Sequence, residues 1–156
     1  DYAHGPDALA KALEAVRAHA RGRVLCVFGA GGDRDRGKRP LMGAAAAGAA
    51  DVCIVTDDNP RTEDGDRIAR EIVAGCPAGA DVRVMRDRAE AIGTAVATAG
   101  PDDVVLVAGK GHETEQLVGT ERRPFSDVDV ALAALTARPE GGAGPTRRAP
   151  GDPGGR

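Results

Sequence analysis

The stretch RVLCVFGAGGDRDRGKRP, Arg23 to Pro40, runs from five consecutive apolar residues, Val24 to Phe28, straight into a glycine-rich and highly charged loop. An unbroken apolar run, rather than an alternating one, marks a strand buried on both faces, as in a parallel sheet covered by helices. The loop contains Gly32, four further residues, Gly37 and Lys38, which is the skeleton of a phosphate-binding P-loop, but Arg39 stands where Ser or Thr is required. A guanidinium has no lone pair to offer Mg2+. Asp33 and Asp35 would point negative charge into the phosphate nest, and Pro40 continues a helix poorly beyond its first turn. The loop fails as a Walker motif. Gly29-Ala30-Gly31 is no dinucleotide fingerprint either, because Arg34 occupies the place of the third Gly. What remains is a loop bearing Arg34, Arg36, Lys38 and Arg39 near a helix N-terminus. It suits a carboxylate or a single phosphate, or else is a solvated charged turn.

Working outward, short apolar runs alternate with amphipathic stretches. The pattern predicts a helix over 6–20, with Leu9, Leu13 and Val16 on one face and Pro6 at its first turn, and a strand over 23–28. A helix over 40–50, a strand over 52–56 and a helix over 65–75 carrying Ile68, Ile72 and Val73 follow. Next come a strand over 82–85, a helix over 87–99 capped by Asp87, and the most hydrophobic strand, DDVVLVAG. A hairpin around Gly119-Thr120 and a last helix over 127–137, with Val130, Leu132 and Leu135 inward, complete the pattern. This alternation predicts an α/β fold: a Rossmann-like open, mostly parallel sheet with helices on both faces and a C-terminal hairpin. Residues 138–156 are mostly Gly, Pro and Arg with little to bury, and are expected to be a disordered tail behind a single domain over 1–137.

Bulk composition narrows the function. Aromatics make up only 2% of the chain against 42% hydrophobic residues, so the core must be aliphatic. With 21 basic and 24 acidic residues the net charge is −3, which gives no electrostatic reason to expect a nucleic-acid partner. Cys26, Cys53 and Cys76 form no CxxC pair and read as small buried hydrophobes of a reduced, cytoplasmic protein. No apolar run approaches the ~18–20 residues that span a bilayer, and no secretory signal is visible, so no membrane association is expected. The chain opens at DYAHGPDALAKAL without Met, as a piece of something longer would.

Ligands of open α/β sheets bind at the carboxyl ends of the strands. Three unusual loops leave strand ends here: 29–39, 57–64 and 109–115. In TDDNPR, Pro60 stiffens the turn and holds Asn59 extended. Asp58 and Arg61 then suit the ammonium and the carboxylate of a zwitterion, unless the segment is only an Asx-type turn capped by Asp57. In the third loop Gly109 and Gly111 flank Lys110, followed by His112 and Glu113. His112 has no second His or Cys nearby to complete a metal site, and no metal ligands are expected in this chain.

The segments DYAHGPDAL, VFGAGGDRDRGKRPLMG, VTDDNPRTE, RAEAI and DDVVLVAGKGHETEQ, in that order, resemble the C-terminal domain of the Mur ligases from Asp1 to about Ala137. DNPR resembles the signature of those members that add diaminopimelate, as against lysine. The resemblance implies a Rossmann-like domain that closes over a central ATP-binding domain. It also implies a reaction in which ATP phosphorylates the D-Glu carboxylate of UDP-MurNAc-L-Ala-D-Glu and the amine of diaminopimelate attacks the acyl phosphate. Carried over by motif, Arg34, Asp58, Asn59, Pro60, Arg61, Gly109 and Glu113 would hold diaminopimelate. Lys110 would approach the reacting phosphates, with a plain solvent-facing Lys as the alternative, and Asp1 and His4 would lie near ATP. ATP and Mg2+ would be held mainly by domains outside this chain, leaving it inert alone. A lysine-adding domain, a stand-alone module for small zwitterions and a P-loop kinase are the rival readings.

Overall fold

The computed structural model of the protein describes residues 3–139; Asp1 and the expected tail from 140 onward lie outside the described residues. Four parallel strands, β1 (Val24–Phe28), β2 (Val52–Val55), β3 (Val82–Val84) and β4 (Val104–Val107), form one sheet in the order β3-β2-β1-β4. Cys26 of β1 stands between Cys53 of β2 and Leu106 of β4. A separate antiparallel hairpin pairs β5 (Glu115–Val118) with β6 (Glu121–Pro124), turning at Gly119 with φ 60°.

The apolar run that decided the reading is the centre of the sheet, and each of its five residues is buried. Alternate side chains serve opposite faces. Val24, Cys26 and Phe28 meet α1 (Pro6–Arg17), α2 (Lys38–Ala49) and α3 (Gly65–Val73) through Leu9, Leu13, Met42, Ala46, Ile68 and Ile72. Leu25 and Val27 meet α4 (Arg88–Thr98) through Ala91, Ile92, Ala95 and Val96, with α5 (Asp127–Thr136) packed behind. Helices thus cover both faces, as the continuous hydrophobicity required. Burial on both faces holds for β1 and β2; β3 and β4 are the two edges, and of β4 only Leu106 is buried. Side-chain caps fix three helix starts: Asp64 accepts from Asp66 N, Asp87 from Glu90 N and Ser126 from Asp129 N.

Two expectations are corrected. Helix α2 begins at Lys38 rather than residue 40, because Pro40 fits within the first turn, where its missing N–H costs no helical bond. On α5, Val130 does pack inward, but Leu132 and Leu135 do not: they are 56% and 54% exposed, in line with Val128 at 56%. The helix turns Val130, Ala131 and Ala134 to the core instead, so its small residues set the distance to α4. The three cysteines are free thiols, and burial pushes Cys26 and Cys53 up, Cys53 to about 12.

Candidate functional site

β1 is flanked by β2 on one side and β4 on the other, and the chain leaves these strands toward opposite faces. Ligands of open α/β sheets bind beside such a switch in direction, and all three predicted loops meet at these strand ends. The first two touch without side chains between them. Gly32 N donates to Asn59 O at 2.8 Å, and Thr56 N to Phe28 O at 2.9 Å. A Cβ on Gly29 would overlap Thr56 O, and one on Gly32 would overlap Pro60 O. These glycines are required because the two backbones lie in contact.

Asn59 joins the second loop to the third. Its Oδ1 accepts from Lys110 Nζ at 2.8 Å and from Leu117 N at 2.9 Å, while its Nδ2 donates to Glu113 Oε2 at 3.3 Å. Arg61 is pinned on the hairpin by its own backbone: N to Leu117 O at 3.0 Å, and O from Gly119 N at 2.7 Å. It adopts φ 52°, a left-handed conformation in which a non-glycine residue is uncommon. Its Nη1 donates to Gly32 O at 2.9 Å and to Asn59 O at 3.4 Å. Arg34, exposed, has its Cγ 3.5 Å from the point where a Gly31 Cβ would sit, and Arg61 Nη1 lies 2.9 Å from that same point. Arg34, Arg61 and the half-buried Glu113 therefore share one rim, around Gly31 and Asn59.

Other predicted residues lie beneath that rim. Asp58 is buried, its Oδ1 3.5 Å from Lys110 Nζ. Its Oδ2 is 2.8 Å from where a Cβ on Gly109 would fall, and Gly109 has φ 116°. Burial pushes the Asp58 carboxyl above its usual range, against the opposing pull of Arg88 and Lys110. The expectation that Asp58 presents its charge outward from the turn is thus corrected: it faces inward. Lys110 is not the solvent-facing lysine of the alternative reading either. It is 0% exposed and also donates to Glu115 O at 3.1 Å and pairs with Glu113 at 3.5 Å. Pro60 is buried between the loops; His4 and His112 are exposed. Asp57 caps no helix and instead takes Arg86 in two bonds of 2.5 and 2.9 Å.

The reading of four basic residues on the first loop as an anion site is corrected as well. Arg36 and Arg39 are already engaged by carboxylates from α3 and the segment before it. Arg36 pairs with Glu71; Arg39, 1% exposed, donates to Glu71 at 2.7 Å, to Glu63 at 2.5 and 3.1 Å, and to Gly31 O at 3.1 Å. These arginines pull both glutamates down to about 2. Asp35 turns back on Gly37 N at 2.9 Å. Arg34, Arg36 and Lys38 are exposed on the loop, and of these Arg36 is the one paired with Glu71. Among the described residues no group of three or more His, Cys, Asp or Glu is placed to hold a metal, and no helix is long and apolar enough to cross a membrane.

The residue missed in the sequence is Arg88, a buried cation under the rim. Arg88 takes Asp127 in two bonds of 2.7 Å and donates to Ala108 O at 3.0 Å and Asp57 O at 3.2 Å. It thereby ties the ends of β2 and β4 to the start of α5. A lone Arg at a helix start looks like a surface residue in sequence, and nothing local distinguishes it.

An open parallel sheet with helices on both faces, and with loops bearing two arginines and a glutamate gathered at its strand ends, defines an α/β domain of the Rossmann-like kind. The chain belongs to the Mur ligase family: the Mur ligase, glutamate ligase domain matches residues 1–111. A UDP-N-acetylmuramoyl-L-alanyl-D-glutamate–2,6-diaminopimelate ligase of Alkalilimnicola ehrlichii is 64% identical over 135 residues, 86% of this chain and 27% of the relative. The ligase of the same name from Parasynechococcus marenigrum is 57% identical over 138 residues, 88% of this chain and 28% of that protein. A solved structure of a ligase with this name superposes with a TM-score of 0.84 at 44% identity, covering 88% of this chain and 28% of the other. The chain thus spans little more than a quarter of the length of the relatives it matches.

Proposed function

We propose that this chain is the amino-acid-binding domain of an ATP-dependent ligase that adds diaminopimelate to UDP-MurNAc-L-Ala-D-Glu in peptidoglycan synthesis. The observation that carries the reading is the shared rim: Arg34 and Arg61 both beside Gly31, and Glu113 bonded to the Asn59 that Arg61 also contacts. The names and the identity of the relatives support the same substrate. Diaminopimelate carries an ammonium and a carboxylate at its distal end, and lysine lacks that carboxylate. A guanidinium fork matches a carboxylate in two parallel bonds, which an ammonium cannot do. Arg34 and Arg61 clamp the distal carboxylate, Glu113 balances the ammonium, and Asp58, Asn59, Pro60, Gly109 and Lys110 hold these groups in place from below.

The residues of this chain do not fit ATP and Mg2+. The P-loop-like segment has its Arg39 buried in ion pairs, and Asp33 and Asp35 stand where phosphates would need donors. In this reading both are held by other domains, with Asp1 and His4 near the nucleotide on closure. The amine of diaminopimelate then attacks an acyl phosphate formed on the D-Glu carboxylate, in the cytoplasm where ATP and the nucleotide precursor are available. The chain alone, over 1–137 with its tail, is catalytically inert, because phosphoryl transfer requires a positioned nucleotide and metal.

The test is amide-bond formation with diaminopimelate and with lysine by a full-length ligase carrying this domain. The unmodified enzyme should strongly prefer diaminopimelate. Arg61→Ala should lose about ten- to hundred-fold of that preference, the worth of one charge-assisted bond. Equal use of both amino acids by the unmodified enzyme would overturn the reading.

A further inference from the structure

Among the described residues, Asp33 is the other non-glycine residue in the left-handed region, with φ 53°. It immediately precedes Arg34, and Arg34 Nη1 donates to Asp33 O at 3.0 Å. The Asp33 carboxylate reaches across to the second loop, where both its oxygens accept from Thr62 Oγ1 at 2.9 Å and Oδ2 accepts from Thr62 N at 3.2 Å. Thr62 is the residue after Arg61. The backbone of Asp33 is held in turn, its N donating to Glu63 Oε2 at 2.7 Å. Glu63 itself is fixed by the buried Arg39, which also takes Gly31 O.

We propose that Asp33 and Thr62, braced by Glu63 and Arg39, are positioning residues that set the gap between Arg34 and Arg61 and so determine selectivity for a ligand with a distal carboxylate. The proposal rests on the diaminopimelate reading and deepens it. Two observations favour geometry over stability as the role. Asp33 and Thr62 are both exposed, and exposed polar bonds add little to folding. Yet the bonds join the residues adjacent to the two rim arginines, and they hold a backbone conformation that costs free energy to maintain. A clamp for one carboxylate needs its two guanidinium groups at a fixed separation, and a flexible first loop would leave Arg34 to be ordered each time a ligand binds.

The test uses a full-length ligase carrying this domain and compares Thr62→Val, Asp33→Gly, Arg34→Ala and the double variant Thr62→Val/Arg34→Ala. Thr62→Val removes the hydroxyl at nearly constant shape, and Asp33→Gly removes the carboxylate while keeping the left-handed backbone available. Each should raise KM for diaminopimelate about tenfold, with kcat at saturation within about twofold and the melting temperature unchanged, and lower the preference over lysine to match. In the Arg34→Ala background, Thr62→Val should have no further effect on that preference, since the residue it positions is gone. An unchanged preference in both single variants overturns the proposal, as does an undiminished Thr62→Val effect without Arg34. An unmodified enzyme indifferent to diaminopimelate and lysine refutes the underlying substrate reading instead, a result separable from the first two.

Discussion

Replacing Arg88 by Met tests the claim that the site is supported by buried charge. In the folded domain Arg88 is 2% exposed and makes four bonds: two to the carboxylate of Asp127, one to Ala108 O and one to Asp57 O. Met fills much of the same volume, so the loss is electrostatic rather than a cavity. It strands the Asp127 side chain, itself 7% exposed, without its counter-ion. Breaking a buried pair from one side costs about 3–5 kcal/mol. Asp127 is in the first turn of α5, where the helix N-terminus returns roughly 0.3–1 kcal/mol to a carboxylate. The net loss is then about 2–5 kcal/mol, a large fraction of the roughly 5–15 kcal/mol that holds a domain together. In urea titrations followed by circular dichroism, the midpoint should fall by about 1–3 M at unchanged slope. The double variant Arg88→Met/Asp127→Leu should recover at least half of the loss, because neither charge is then left alone. An Arg88→Met midpoint within error of the unmodified chain, or a double variant no better than the single, would refute the reasoning.

Two further outcomes follow from the packing and the ion pairs. Leu132→Ser with Leu135→Ser should leave stability within about 0.5 kcal/mol, since both side chains stand largely in solvent, whereas Ile92→Ala on the adjacent helix should cost about 2–5 kcal/mol; a large loss in the leucine pair would mean that they are core residues after all. Acid should weaken the domain through Glu63 and Glu71. Hydrogen bonding from Arg39 to Glu63, and from Arg36 and Arg39 to Glu71, holds both at about 2 against an ordinary value of 4.5. A folded value below the unfolded one means that the stabilisation is complete above pH 4.5 and is lost as pH falls from there toward about 2. Across that window the melting temperature should fall as pH falls in the unmodified chain, and fall less in Glu63→Gln/Glu71→Gln.

The fold was legible because two signals in the sequence are strong and independent. Continuous apolar runs demand cover on both faces, and their alternation with amphipathic stretches leaves few topologies besides an open parallel sheet. The elements fell within a few residues of their predicted ends. The failure on α5 has a specific cause: in a helix as apolar as DVDVALAALT, periodicity assigns no unique inner face, and the large leucines were given the core that the alanines occupy. Contact with α4 is close, and small side chains permit it.

The site was legible at the level of which loops matter, and much less so at the level of what each charge does. Glycine and proline report backbone geometry, which local sequence encodes: Pro60, expected to stiffen its turn, is buried between the loops, and Gly29 and Gly32 lie where the two backbones touch. A charged side chain reports nothing about its partner until the chain folds. Arg39 finds Glu63 and Glu71, Arg88 finds Asp127, and Lys110 finds Asp58 and Asn59, all from more than twenty residues away. Each of these cations looked in sequence like a surface residue or a ligand contact, and each is buried against a carboxylate. The burial of three cations beneath the rim is costly for stability alone. In the proposed function it is intelligible as preorganisation: the cations fix the loops that carry Arg34, Arg61 and Glu113 before a ligand arrives.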